Sequence, residues 1–332
     1  MNILFVLLTT LLFINVSYAS SYPTTDLNKL SGFAKQAHVT GGYGGKTIIV
    51  KDISNLKKEI LGDEPKVIVV EGKIASTSKQ KLLLGSNKTI VGSFNNSNVL
   101  HNIYLATSSN SSNIIFQNLV FKHDEKIKGN GDIQLYINYG QKYWIDHCSF
   151  VGHSWQLGDG SLDKLIYIGE SADYITISHS LFSNHRYGSI FGYAMNGYKA
   201  KYIGYPRITL ANNYYNNIYV RSPGLMRYGY FHAYNNYIRN YHLGYTLAQN
   251  AKVISESNYF ESGYEKGIVD DKKENTSFTD TNSYPSSIQK YSKSASWSIP
   301  YSYQTQTANF SKNWNLNYSG AQSNASKFTF PY

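Results

Sequence analysis

Cysteine is almost absent from this chain of 332 residues, which contains only Cys148. An internal disulfide is therefore impossible, and packing must stabilise the fold. Proline is also scarce, at seven residues, and no proline- or glycine-rich linker divides the sequence. About 313 residues follow position 19, which is enough to bury one large core. We therefore predict a single domain over residues 20–332, with Cys148 as a buried structural thiol.

Long apolar runs are missing except at the N terminus. The segment from Ile3 to Val16 is apolar, and Ser17-Tyr18-Ala19 after it has the small residues of a signal-peptide cleavage site. About 14 residues, interrupted by threonine and asparagine, are too few to span a bilayer. Residues 1–19 are therefore predicted to be a secretory signal peptide, and the mature chain is expected to be extracellular. Seven sequons agree with a secreted glycoprotein: Asn87, Asn95, Asn110, Asn275, Asn309, Asn317 and Asn324.

Acidic residues are outnumbered: 31 lysines and arginines face 21 aspartates and glutamates, a formal charge of +10. Such a charge suits nucleic acid, a membrane surface or an acidic polymer. No run of five basic residues and no nucleic-acid-binding motif is present. We therefore predict an acidic polysaccharide as partner, and neither nucleic acid nor membrane. The 31 tyrosines fit either stacking on sugar rings or half-buried strand positions.

Short strand-like runs recur along the chain, and their closing residues lie about 22 to 33 positions apart, the spacing of a solenoid with insertions. The runs are β-branched or aromatic and are bounded by Gly, Asn and Ser, which argues against helices. Inward polar residues of successive turns, such as Asn213 and Asn236, are expected to form structural ladders. The predicted strands are Thr47–Val50, Lys66–Val70, Thr89–Val91, Ile114–Phe121, Tyr143–Phe150, Leu165–Ile168, Tyr174–Phe182, Arg207–Tyr215, Tyr230–Ile238 and Lys252–Phe260.

Two segments flank the predicted coil. Asp52–Leu61 has apolar positions at helical spacing behind an N-cap residue, and it is predicted to be a short helix that caps the first turn. Residues from about 271 to 332 are polar, and we predict a C-terminal wrap along the coil with no helix of its own. The glycine-rich stretch 41–47 lacks the first glycine of a phosphate-binding loop, because position 40 is Thr40.

Three motifs stand at the ends of strand-like runs: Gly131-Asp132-Ile133, Trp144-Ile145-Asp146-His147 and Arg221-Ser222-Pro223. With them, residues 32–305 resemble the pectate/pectin lyase family. The resemblance implies an all-β, right-handed parallel β-helix that acts as a monomer and cleaves pectic polysaccharide by β-elimination. Asp146 and His147 belong to the most recognisable family motif, but an Asp-His pair within a strand is expected to be structural.

The chemistry implied by the resemblance removes the proton α to the C6 carboxyl of a galacturonosyl unit. A base must lie near C5, and a cation must stabilise the charge that develops on the carboxyl group. By resemblance, Arg221 is the catalytic arginine, Arg227 binds a substrate carboxylate, and Asp132 and Asp163 are ligands of Ca²⁺, which prefers several oxygen donors.

Several positions depart from the family pattern. A third calcium carboxylate is replaced by Tyr167, a neutral Asn130 stands at a further acidic position, and Gly169 replaces a lysine. The expected substrate-binding lysine is Tyr187, with Arg186 beside it, and both are predicted to bind substrate. An alternative register would pair Asp159 with Asp163 but needs a four-residue insertion. The predicted Ca²⁺ site is therefore weak and completed by the substrate.

The favoured function is a pectate lyase that tolerates partly methylated pectin. A pectin lyase preferring the methyl ester and an inactive pectin-binding relative stay open as alternatives. A polygalacturonase would need paired carboxylates as acid and base, and the only adjacent pair, Asp270-Asp271, lies after the repeats.

Overall fold

A computed structural model describes residues 21–129, 131–153, 163–192, 204–261, 266–270, 276–286, 293–294 and 297–332. The predicted signal peptide, Asn130, Asp159 and the Asn275 sequon lie outside the described residues. The strands are β1 Lys46–Val50, β2 Lys66–Val70, β3 Gly72–Leu84, β4 Lys88–Gly92, β5 Asn98–Thr107, β6 Ile114–Gln117, β7 Val120–Lys122, β8 Leu135–Ile137, β9 Gln141–Asp146, β10 Ser149–Val151, β11 Lys164–Ile168, β12 Asp173–Ser178, β13 Leu181–Phe191, β14 Arg207–Ala211, β15 Tyr214–Val220, β16 Gly224–Leu225, β17 Tyr230–Tyr234, β18 Tyr237–Arg239, β19 Leu243–Leu247, β20 Lys252–Glu256, β21 Tyr259–Phe260, β22 Lys266–Asp270 and β23 Ser277–Thr281. The helices are α1 Gly32–Gln36, α2 Ile53–Glu59 and α3 Ala308–Tyr318, with 3-10 turns at Leu27–Lys29 and Ala325–Lys327.

Each strand pairs in parallel with the equivalent strand of a neighbouring turn, which makes the chain a β-helix. Ten strands from β1 to β23 form one sheet, and the other thirteen form a second, strongly bent sheet. Lys46 pairs with Lys66, and Ile175 pairs with Ile208, so one turn spans 20 to 33 residues. All ten predicted runs contain strands, but six of them are each divided into two strands on different sheets, at a left-handed residue such as Asn118 or His147. Sequence analysis missed β3, β5, β8, β16, β19, β22 and β23; in β3, outward lysines and serines hide the apolar alternation.

The interior is filled by side chains that stack from turn to turn. Phe121, Phe150, Phe182 and Tyr215 form one column, with ring centroids 4.9, 5.0 and 4.7 Å apart. These distances match the spacing between hydrogen-bonded strands, so stacked rings follow directly from the parallel register.

The predicted asparagine ladder is present beside that column. The side-chain oxygen of Asn236 accepts hydrogen bonds from the backbone and side-chain N–H groups of Asn213, at 2.9 and 3.0 Å. The side-chain oxygen of Asn258 likewise accepts hydrogen bonds from the backbone and side-chain N–H groups of Asn236, at 2.9 and 3.0 Å. Because each side-chain oxygen accepts from the asparagine of the turn before it, these buried polar groups are hydrogen-bonded and stabilise the coil.

The N-terminal cap agrees with the prediction. Helix α2 begins after Asp52, whose carboxylate accepts from the backbone of Asn55, and it buries Leu56 and Ile60 over the open end. The glycine-rich stretch has a structural role: a Cβ on Gly42 would lie 1.9 Å from the Lys66 carbonyl oxygen. No helix among the described residues is long and apolar enough to cross a membrane.

The C-terminal segment lies along the coil, but the prediction that it has no helix is wrong, because it forms α3. This helix was missed because its sequence is polar overall. Ser311 and Asn315 bond to Asn235, while Gly320 and Gln322 donate to His179 and to Asn118, which lie two turns apart. Tertiary hydrogen bonds therefore hold this segment, together with ring contacts of Trp314, Phe328 and Phe330 on His147 and His179.

Candidate active site

Asp132 and Asp163 occupy equivalent positions on consecutive turns, each just before a strand. Because Ile166 pairs with Leu135, the register extended back by three residues aligns the two aspartates. The backbone N–H of Asp163 donates to both carboxylate oxygens of Asp132, at 2.8 and 2.7 Å. Asp132 is only 1% exposed. The β-helix thus fixes these two carboxylates next to each other, as the sequence predicted.

Lys164 is a cation of this site that sequence analysis missed. Its Nζ contacts Oδ1 of Asp163, and both side chains are largely buried. Burial raises the pKa of the Asp163 carboxyl, Lys164 opposes that shift, and the charge of Asp132 adds to it. The sequence signal for this contact was that Lys164 is the first residue of a strand whose other residues are apolar or aromatic. A charge at that point must find a partner to be buried.

The Tyr187 ring lies near two guanidinium groups, that of its sequence neighbour Arg186 and that of Arg221 on the next turn. Tyr187 pairs with Lys164 on one side and with Val220 on the other, so Arg221 follows directly beside it. The guanidinium carbon of Arg221 is 5.0 Å from the Tyr187 ring centroid, and that of Arg186 is 5.3 Å away. Arg221 has a φ of 63°, a left-handed conformation that is uncommon for arginine and often marks functional positions.

The structure brings together five of the six predicted site residues, and Arg227 is the exception. Its side chain is 1% exposed, and Nη2 donates to the Glu170 carbonyl oxygen at 2.7 Å. Arg227 therefore does not present its guanidinium on the surface that carries Arg221. Sequence spacing could not show this, because the left-handed Arg221 and the short β16 turn the chain between them.

Tyr167, at the position of the replaced carboxylate, belongs to a strip of aromatic rings on the outer face of this sheet. Tyr136 stacks on Tyr167 with centroids 4.6 Å apart, and Tyr104 lies 5.9 Å from Tyr136. Their neighbours Leu135, Ile166 and others point into the core. The side chains of Lys79 and Lys81 lie over the Tyr104 ring, at 5.3 and 5.8 Å. Tyr104 and Tyr167 are 8% and 3% exposed, so Tyr136 is the partly accessible ring of the strip, and the two lysines add positive charge beside it.

The described donors do not fit a calcium ion well. Ca²⁺ takes six to eight oxygen ligands. Here Oδ1 of Asp163 contacts Lys164, and both oxygens of Asp132 accept from a backbone N–H. Beside them lie imidazole nitrogens of His153 and His185, which are donors that calcium does not favour. The described residues therefore do not present the shell of oxygen ligands that calcium takes.

Asp146 and His147 have the structural surroundings that the sequence led us to expect. Asp146 is fully buried and accepts from Ser178 and Gln117, while two imidazoles contact it, those of His147 and His179, at 2.8 and 2.7 Å. Burial by itself would raise the pKa of Asp146, but the two histidines hold it well below its ordinary value. The cluster lies under the C-terminal segment, with His147 bonded to Thr329.

Comparison with known proteins gives one consistent family. The family model described as pectate lyase matches residues 4–324. Similar proteins include a pectin lyase of Pectobacterium carotovorum, 55% identical over 93% of this chain and 99% of that protein, and one of Bacillus subtilis, 47% identical over 94% and 93%.

Solved structures agree on the fold. A pectate lyase from Bacillus sp. N165 in complex with trigalacturonate has a TM-score of 0.73 at 24% identity, over 88% of this chain and 98% of that one. Pectate lyase C from Erwinia chrysanthemi, studied with 30 mM Ca²⁺, has a TM-score of 0.71 at 19% identity, over 88% and 96%. The chain therefore belongs to the pectate lyase family and is a polysaccharide lyase with the parallel β-helix fold.

Proposed function

We propose that this lyase cleaves methyl-esterified pectin by β-elimination, without requiring calcium, at the surface formed by Asp163, Lys164, Arg186, Tyr187 and Arg221. The observation that carries the proposal is the contact of Lys164 with Asp163, because it places a fixed ammonium group against the carboxylate that the resemblance assigns to calcium. Relatives that are 47 to 55% identical bear the name pectin lyase, which supports the same substrate. The sequence alone had favoured the pectate branch.

The reaction needs a base at C5 and a stabilised enolate. Arg221, in the role that the resemblance gives it, accepts the C5 proton. The electron pair of that C–H bond then forms the C4–C5 double bond, and the glycosidic oxygen leaves C4 with its bonding pair. The charge that builds up on the C6 carbonyl oxygen is stabilised by cations held in place before the reaction. Arg186 provides such a cation on the turn next to Arg221, and Lys164 provides one on the turn beyond it.

The charge of the substrate explains why a metal is not needed. Proton removal from a free carboxylate creates a second negative charge on the same group, whereas removal from a methyl ester creates only one. An ester therefore needs less positive charge in the site, and Lys164 is already offset in part by Asp163. A site with several uncompensated cations would favour the free-acid substrate over the ester. Apart from Asp132 and Asp163, the described site residues include no carboxylate that could bind a metal.

The aromatic strip suits the same substrate. Tyr136 is partly exposed and stacks on the buried ring of Tyr167, which lies 5.8 Å from Nζ of Lys164, so Tyr136 offers the accessible apolar surface of the strip. Methyl esters and the C–H faces of sugar rings pack on such surfaces.

A calcium-dependent pectate lyase is the second candidate, and one observation favours it. Oδ2 of Asp163 is buried and has no hydrogen-bond partner among the described residues, so it could accept a cation carried in by the polymer. The weak, substrate-completed site predicted from the sequence would have this form.

Two substrates and a chelator distinguish the candidates. The rate of unsaturated product formation is measured on highly methylated pectin and on polygalacturonate, each with chelator and with added Ca²⁺. We expect undiminished activity on methylated pectin in chelator and little on polygalacturonate. Activity only on polygalacturonate with calcium would establish the second candidate, and no unsaturated product from either would indicate the inactive binding relative.

Secretion, glycosylation and a monomeric state belong to the same proposal. They rest on residues 1–19, on the sequons and on the family resemblance. N-terminal sequencing of the exported protein, its mass before and after deglycosylation, and size-exclusion chromatography check them.

A further inference from the structure

We infer that Asp132, His153 and His185 form a binding site for a transition-metal ion such as Zn²⁺, distinct in chemistry from a calcium site. One ligand atom from each residue lies within 4.8 Å of the other two. This inference goes beyond the proposed function, because it concerns metal binding and assigns the ion no part in the elimination.

The donor set decides the class of metal. One carboxylate oxygen and two imidazole nitrogens are ligands typical of Zn²⁺ and related ions, whereas Ca²⁺ is bound by oxygens. Two ligands about 2 Å from a tetrahedral metal are about 3.3 Å apart. Nε2 of His185 lies 3.1 Å from Oδ2 of Asp132, close to that separation.

His185 provides the second, independent observation. Its side chain is 1% exposed, and neither ring nitrogen makes a hydrogen bond to any residue that the structure describes. The approach of Nε2 to Asp132 has the distance of an ion pair but not the alignment of a hydrogen bond. Leaving a buried polar nitrogen unsatisfied is costly, and coordination of a metal removes that cost.

The fold holds the carboxylate in place for this role. The Asp163 N–H, which donates to both oxygens of Asp132, fixes the orientation of the carboxylate in the way that outer hydrogen bonds fix metal ligands. The neighbouring His123 is excluded as a ligand through Nε2, which lies 3.3 Å from the Ile103 carbonyl oxygen.

The test uses the full chain without a histidine tag, treated with chelator and then titrated with Co²⁺. We expect saturable binding of one equivalent, seen as the visible absorption of cobalt with nitrogen and oxygen ligands, and displacement by Zn²⁺ but not by millimolar Ca²⁺. His185→Gln and His153→Gln should each weaken Co²⁺ binding at least tenfold. His101→Gln is the matched control, because His101 pairs with Asp124 outside the cluster and should leave binding unchanged.

The outcomes are decisive in each direction. No saturable Co²⁺ binding by the wild type, equal binding by both cluster variants, or displacement by Ca²⁺ would overturn the inference. Circular dichroism checks the fold of each variant, and where His185→Gln does not fold, His153→Gln and the wild-type spectrum decide. Because no substrate is present, failure of the proposed elimination would leave these results unaffected.

Discussion

The backbone N–H of Asp163 donates to both carboxylate oxygens of Asp132, and this pair of hydrogen bonds ties two consecutive turns together at the candidate site. The relationship depends on parallel register, because residues 31 positions apart become neighbours only when β8 and β11 pair. It also determines what each carboxylate can still do: Asp132 faces histidines, and Asp163 faces Lys164.

Arg221→Lys should reduce turnover by a factor on the order of 10² or more, because lysine lacks the planar reach of the guanidinium. The rate of unsaturated product formation on methylated pectin measures this. Arg239→Lys, at an exposed end of β18, is the control and should retain full activity. Activity of Arg221→Lys within a few-fold of wild type, with unchanged thermal unfolding, would show that the assignment is wrong.

Lys164→Gln should create a calcium dependence that the wild type lacks. Removing the ammonium group lowers activity on pectin in chelator by about tenfold or more and frees Oδ1 of Asp163, so that both of its oxygens can bind a metal. Added Ca²⁺ should then restore part of the activity, which initial rates across a calcium titration would detect. Lys252→Gln is the matched control, because its Nζ also lies over a tyrosine ring, that of Tyr230, at 4.7 Å but without a carboxylate partner in the described structure. If Lys164→Gln loses activity and added Ca²⁺ restores none of it, Lys164 does not take the place of calcium at Asp163.

Tyr167→Asp should shift substrate preference from methylated pectin towards polygalacturonate with calcium. The change removes the stacked partner of Tyr136 and supplies the carboxylate that the family carries at this position. We expect kcat/KM on methylated pectin to fall about tenfold, because the partly exposed Tyr136 loses the buried ring that supports it. Tyr167→Phe keeps the ring and serves as the control. Equal losses on both substrates would mean that the strip has only a packing role.

The free energy of unfolding should decrease as pH is lowered from 7 to 5. Burial lowers the pKa of His179 and His232, with Asp146 and Glu256 respectively opposing the shift. Below the ordinary histidine value of 6.5 the unfolded chain therefore binds more protons than the folded one. This contribution to the free energy of unfolding is present above pH 6.5 and is lost on acidification.

Denaturant unfolding at pH 7 and pH 5 measures this dependence. His232→Gln should flatten it, because glutamine does not titrate, although the variant loses the contacts with Glu256 and Tyr301 and is less stable at pH 7. His101→Gln, at a partly exposed ion pair, should keep the wild-type slope. An unchanged slope in His232→Gln would assign the acid sensitivity to other groups.

Sequence determined the repeat, ten strand-forming runs, the N-terminal cap and the grouping of Arg221, Asp132 and Asp163 near one another. Alternation, capping and turn residues are local signals, and the family motifs are contiguous, so all of these can be recognised along the chain. Among the elements that were missed, the polar strand β3 and helix α3 carry no apolar pattern and are held by tertiary contacts.

Only the tertiary structure decided which group each charged side chain contacts. Lys164 against Asp163, histidines against Asp132, and Arg227 buried against Glu170 are all set by register between turns and by the path of short loops. A displacement of one residue in that register would exchange inward and outward side chains. Electrostatic partners therefore depend on distances of a few ångströms between residues far apart in sequence, and composition and spacing do not encode those distances.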